Sequence, residues 1–246
     1  MARYKVVLIY DGTDFSGMQR QSNARSVQGD FEKALARLGW QDTSILFAGR
    51  TDAGVHASGQ VVAFDLMNWT HSTSDLQNAL NANLPQDMGV LGIQEVQDEF
   101  HPRYDATERT YQYRIICHPH RDPLRERYAW RVWPEIELSR FQKAADLLVG
   151  EHDFSAFGTP PKENGPTIRK VFAAEVQKIG KEEFLFEIKA NAFLYHMVRR
   201  IVGLLVKIGQ GSSEPELVLQ KFEGVAELIQ ELAPANGLCL VNVDYN

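Results

Sequence analysis

Cysteine is nearly absent from this chain. Cys117 and Cys239 are the only two in 246 residues, far apart and outside any paired-cysteine spacing. That excludes a disulfide framework and points to a reducing compartment, the cytoplasm. No apolar run reaches the roughly 18 residues of a membrane span. The start, MARYKVVLIYDG, lacks an apolar stretch leading to a small-residue cleavage site, so the chain reads as soluble and intracellular, with no membrane partner. Metal-ligand spacing is missing as well. CHPH, residues 117–120, has no second ligand pair and reads as a strand end running into a Pro-bounded turn, so no metal is expected. Gly49 and Gly54 have GxxxxG spacing, but Val55 and His56 follow where a triphosphate loop needs Lys and Ser or Thr. There is no GxSxG elbow, and one carboxylate in that stretch cannot do two-acid glycosidase chemistry.

Excess positive charge is also lacking: the formal charge is −6. Its distribution matters more than its sum. From residue 211 onward six acids (Glu214, Glu216, Glu223, Glu227, Glu231, Asp244) face Lys221 alone, a net of −5. Between 101 and 131 seven arginines (103, 109, 114, 121, 125, 127, 131) face four acids (Asp105, Glu108, Asp122, Glu126), a net of +3. Part of such a surface can hold a polyanion while the rest ignores it, although solvated arginines on strand and loop faces give the same count.

What is present is one pattern written twice. RYKVVLIYDG predicts a strand. SVQGDFEKALARLG predicts a helix capped by Ser26, with Val27, Phe31, Leu35 and Leu38 on one face and Gly39 as its stop. SILFAG and GQVVAFDL are strands separated by a glycine-rich loop. SDLQNALNAN is a helix capped by Ser74, and VLGIQEVQ is a strand. In the second half ATERTYQYRIIC is a strand and YAWRVW a small extra one. LSRFQKAADLLVG is a helix, TIRKVFAAEVQKI and EEFLFEIKAN form a hairpin across Gly180, and HDFSAFGTPPKENGP is a loop-like insertion. AFLYHMVRRIVGLLVKIG is a long helix, PELVLQKF a short one and GLCLVNVDY the last strand. The order βαββαβ, repeated, predicts an α+β fold of two ferredoxin-like halves, 1–104 and 105–246. The halves are expected to join into one mixed, mainly antiparallel sheet with helices on one face and a ligand cleft on the other.

The loop AGRTDAGVHASGQ, residues 48–60, seats Asp52 among small residues, with Arg50, Thr51, His56 and Gln60 as polar company. A lone loop aspartate is commonly a turn or cap residue; a shortage of bulk around it also makes room for another molecule. YDGTDFSGMQRQ places Gln19 and Arg20 in a second glycine-rich loop, with Arg25 close behind. In RTYQYRI, Tyr111 and Tyr113 share one strand face and Gln112 and Arg114 the other; such aromatics stack bases or form core. On the long helix, Leu194, Met197, Val198, Ile201, Val202, Leu205 and Ile208 recur at helical steps. His196, Arg199, Arg200, Gly203 and Lys207 form a separate stripe, ordinarily a solvated face, where Gly203 lets something pack close beside one of two arginines.

Together YDGTDFSGMQRQ, AGRTDAGVHASGQVVAF, NANLP, FHPRYDATERTYQYRI, HDFSAF and NAFLYHMVRRIVG resemble the tRNA pseudouridine synthase A family, from the first strand to GLCLVNVDY. Met18 stands where that family usually has Trp. The resemblance implies an isomerase that converts uridine to pseudouridine in the anticodon stem-loop of tRNA, near positions 38 to 40. It implies tRNA as partner, an RNA-binding cleft, a homodimer and no cofactor. Asp52 is then the catalytic aspartate, Arg50 its motif companion, Tyr111 the active-site tyrosine and Arg199 the basic residue that pairs with the aspartate. Gln19, Arg20, His56 and His196 are expected as further substrate contacts, and the 101–131 arginines with Arg20, Arg25 and Lys162 as phosphate contacts. An ionised carboxylate has three routes: attack on C1′, attack on the pyrimidine ring, or removal of a ribose proton. The competing classes are a non-catalytic RNA-binding module and a hydrolase using Asp52 on a sugar or nucleoside.

Overall fold

The computed structural model describes residues 1–67, 69–223 and 228–246. Among them are ten β-strands, paired mainly antiparallel, and five α-helices, an α+β architecture. They form two compact units: Met1–Thr107 with Cys239–Asn246, and Glu108–Leu238. No helix of the described residues is long and apolar enough to cross a membrane.

In the first unit β1 (Ala2–Tyr10) runs antiparallel to both β3 (His56–Leu66) and β4 (Met88–Val96), and β2 (Leu46–Phe47) pairs with β3. This 4-1-3-2 strand order, with α1 (Val27–Ala36) and α2 (Thr73–Asn83) as connections, is the ferredoxin-like arrangement. Alternation along β1 buries Tyr4, Val6, Leu8 and Tyr10. Phe31 of α1 packs on Phe64 of β3, ring centres 6.0 Å apart, and Phe64 on Tyr4 at 5.9 Å. The strand β10 (Leu238–Tyr245) pairs parallel with β3 through Cys239 and His56.

Ser26 caps α1, its hydroxyl accepting from the Gly29 amide at 3.2 Å. Helix α2 starts two residues earlier than the sequence predicts. Its cap is Ser72, not Ser74, because Asp75 closes a reciprocal capping box with Ser72. Ser72→Ala should therefore lower stability by about 1 kcal/mol, read as a lower urea midpoint with unchanged slope. Ser74→Ala should leave the midpoint in place.

In the second unit β5 (Ala106–Cys117), β9 (Glu183–Ala190), β8 (Ile168–Lys178) and β7 (Gly150–Asp153) are successive antiparallel neighbours, with β6 (Trp130–Val132) parallel to β5. Helix α3 (Leu138–Asp146) packs through Phe141 on Phe186 of β9, ring centres 5.6 Å apart. The predicted hairpin across Gly180 is β8–β9. The predicted loop insertion instead opens on β7, four residues whose brevity and charge hide a strand signal. The long helix is shorter than its pattern: α4 spans Met197–Gly209. Residues 192–196 leave the helix because Tyr195 pairs with Thr159 through both backbone bonds, and His196 takes φ 65° before the first turn. Helix α5 (Leu217–Glu223) follows.

Candidate active site

The candidate residues fall into two sets, one in each unit. In the first unit the Asp52 loop is shorter than the sequence suggests, because β3 already begins at His56. What remains, residues 48–55, is held by its backbone. The Met18 amide donates to the Thr51 carbonyl at 3.0 Å, the Gly54 amide to Phe15 at 3.3 Å, and the Val55 amide to the Asp52 carbonyl at 3.2 Å. From beneath, the fully buried Gln60 donates Nε2 to the Gly49 carbonyl at 2.9 Å. Thr51 Oγ1 lies 2.7 Å from the Tyr10 hydroxyl. Burial pushes the Tyr10 phenol up to about 12, with Thr51 and Gln60 pulling against it. It therefore stays a neutral hydrogen-bonding group at ordinary pH. Each such bond contributes on the order of 1 kcal/mol; together they fix the backbone around Asp52, which is half-buried, while Arg50 beside it is exposed. The sequence missed Tyr10: its place on the inward face of β1 reads as core, and only its hydroxyl marks a second task.

His56 is buried; its Nδ1 accepts from the Gly12 amide at 3.0 Å and lies 3.1 Å from Asp11 Oδ1, so it ties the two glycine-rich loops together. Gln19 is exposed. Arg20 binds the buried Glu32 at 2.6 Å and the Thr43 carbonyl at 3.1 Å. Arg25 holds Asp30 and Asp87 at 2.8 and 2.7 Å over the Phe15 ring. Met18, where a Trp was expected, is completely buried, so the smaller side chain is packed around rather than leaving a surface gap.

In the second unit Tyr113 is core, with no exposure, and its hydroxyl donates to the Pro234 carbonyl at 2.7 Å. Tyr111 sits at the margin of burial with its ring edge-on to Phe193, centres 5.1 Å apart. Phe193, missed in the sequence, lies in the part of the NAFLYH motif that leaves the helix. His196 lies tilted against the ring of the exposed Tyr195, centres 3.8 Å apart.

The polar stripe of α4 is not a solvated face. Arg199 Nε donates to the Ala233 carbonyl at 2.7 Å and Arg200 Nε to the Ile229 carbonyl at 3.1 Å; Lys207 pairs with Glu231 at 2.6 Å. A Cβ on Gly203 would come within 2.5 Å of the Glu231 carbonyl oxygen. What Gly203 admits is the chain's own segment 229–233, which the flanking cations secure by its carbonyls. Burial pushes the Tyr113 phenol upward, with Arg199 pulling the other way. Among the arginines between 101 and 131, Arg114 pairs with Glu183, Arg121 with Glu126, Arg125 with Asp122, Glu182 and Glu183, and Arg131 with Glu126. Lys162 is exposed.

The sequence pattern of the tRNA pseudouridine synthase family matches residues 7–105 and 144–246. The tRNA pseudouridine synthase A of Thermotoga neapolitana is 40% identical over 244 residues, 99% of each chain. That of Brevibacillus brevis is 40% identical over 249 residues, the whole of both chains. Likeness to solved structures is weaker. The archaeal box H/ACA sRNP Nop10-Cbf5 complex is similar at 12% identity and TM-score 0.42, over 84% of this chain and 44% of that one.

Proposed function

Because the chain belongs to the tRNA pseudouridine synthase family, we propose that it isomerises uridine in the anticodon stem-loop of tRNA, near positions 38 to 40, with Asp52 as catalytic carboxylate. It is an isomerase. The reaction breaks the N1–C1′ bond, turns the uracil while it stays bound and joins C5 to C1′. The C5 proton leaves for solvent and N1 takes one up, so no atom is gained or lost overall and the reaction itself calls for no group carrier or net redox step. The observation that carries the reading is the hydrogen-bonded frame of residues 49–55, which fixes the backbone on both sides of a half-buried Asp52.

The target base is stacked in a stem and must leave it, at a cost of a few kcal/mol, before an ionised oxygen can reach its ribose or ring. Small side chains around Asp52 give a flipped nucleotide room. Arg199 is the cation this reading assigns to Asp52. Its Nε bond to the Ala233 carbonyl fixes the guanidinium. Tyr111 then stacks on the uracil, and its hydroxyl assists removal of the C5 proton. The working form is a cytoplasmic homodimer.

The test is tritium release from C5-labelled uridine in an unmodified tRNA transcript carrying one uridine at 38, 39 or 40. The expected result is release from the intact strand, weakening as salt rises. Tyr111→Phe and Arg199→Leu should slow release by roughly a hundredfold or more. Free uracil or a shortened strand would assign the protein to hydrolysis instead.

A further inference from the structure

Two charged side chains are buried among the described residues, Glu32 and Arg169. Glu32 has its cation in Arg20. Arg169, on β8 and 9% exposed, pairs with no acid among the described residues. Its Nη1 is taken by the carbonyls of Pro166 and Ile168, at 2.9 and 2.6 Å, and its Nε is buried without an acceptor. A buried guanidinium is normally matched by a carboxylate, because removing the charge from water is otherwise expensive. Burial accordingly lowers the Arg169 pKa, with nothing offsetting it.

Strand alternation explains why no carboxylate of β7 answers. On the neighbouring β7, Glu151 lies across from Lys170, His152 across from Arg169 and Asp153 across from Ile168. Side chains directly opposite share a face, so Arg169 shares its face with an imidazole while both acids of β7 turn to the other. Asp153 is held by Thr167 and Ser155, which keep its carboxyl below the usual range. The His152 ring is itself occupied, stacked on Phe222 with centres 4.3 Å apart. The result is a preorganised cation with no carboxylate partner among the described residues.

We propose that Arg169 is an oxyanion site at the base of the 154–167 loop and takes a phosphate of the bound RNA backbone. This rests on tRNA being the substrate. An arginine suits the role, since its planar fork matches a phosphate and remains charged when desolvated. Carbonyls on Nη1 hold the fork still before the ligand arrives, which reduces the ordering that binding would otherwise demand.

The experiment compares wild type with Arg169→Met and Arg169→Lys for tRNA affinity over a salt series, alongside thermal midpoints with and without inorganic phosphate at constant ionic strength. Arg169→Met should bind tRNA roughly tenfold more weakly, with the slope of log affinity against log salt reduced by about one. Arg169→Lys should keep the slope. If Arg169→Met melts earlier yet binds tRNA with unchanged affinity and slope, Arg169 is only a clamp on the 166–168 carbonyls and the proposal fails. If phosphate stabilises the wild type while the tRNA slope ignores the substitution, the site serves a free anion and the RNA assignment fails. A wild type that neither binds nor modifies tRNA would sink the proposed function, a result separable from either.

Discussion

Asp52→Asn should reduce single-turnover tritium release by about a thousandfold or more while changing tRNA affinity less than about threefold. The substitution keeps the shape of the side chain and removes its charge. The frame around residue 52 is built from backbone groups: those of Gly49, Thr51, Asp52 and Gly54 bond to Gln60, Met18, Val55 and Phe15. The loop should therefore survive, and with it the surface presented to RNA. An amide can neither attack as an anion nor accept a proton effectively, so the whole deficit belongs in the chemical step. Filter binding and release assays on the same preparations separate the two quantities. Affinity falling in parallel with rate would make Asp52 a structural residue of the loop and leave the catalytic group to be sought elsewhere.

How far the sequence revealed this molecule depends on whether a feature leaves a local mark. The ferredoxin-like order of the first unit was legible because β-branched runs, capped helices and glycine stops are all local. So was the β8–β9 hairpin across Gly180. The resemblance carried by GRTDAGVH and the other motifs identified the family before any geometry was known. Non-local pairings left no trace. Nothing in AFLYH says that Tyr195 will pair with Thr159 and so delay α4 by five residues, and four charged or small residues do not announce β7. The Ser72 cap was missed because Ser72 and Ser74 are both acceptable N-caps and only the reach of Asp75 decides between them. Along α4, periodicity correctly separated two stripes but could not tell solvent from segment 229–233 as the cover for the polar one. Tyr10 and Gln60 sit in strand patterns that read as core; that they brace the Asp52 loop depends on where strand ends meet loops.

Gly12→Ala should be the most damaging small substitution outside the candidate catalytic residues, because its penalty falls on backbone rather than on a movable side chain. A Cβ at residue 12 would meet the Val55 carbonyl oxygen at 2.0 Å and its carbon at 2.4 Å, distances that real side chains do not tolerate. The loop that carries Gly12 must then part from the Asp52 loop by about an ångström, and displacement of that size around a reacting group costs about a hundredfold in rate. The bond from the Gly12 amide to His56 Nδ1 lies on the same line of separation. Overpacking of this kind lowers stability by about 3 kcal/mol, which for a chain of this size means a thermal midpoint several degrees lower. Gly92→Ala on β4 is the control, since its Cβ would meet nothing within 4 Å. Rate and melting temperature measured on both variants give the answer. If Gly12→Ala matches the Gly92 control in both, contact between the two loops does not set the position of Asp52, and bracing from Tyr10, Thr51 and Gln60 alone must suffice.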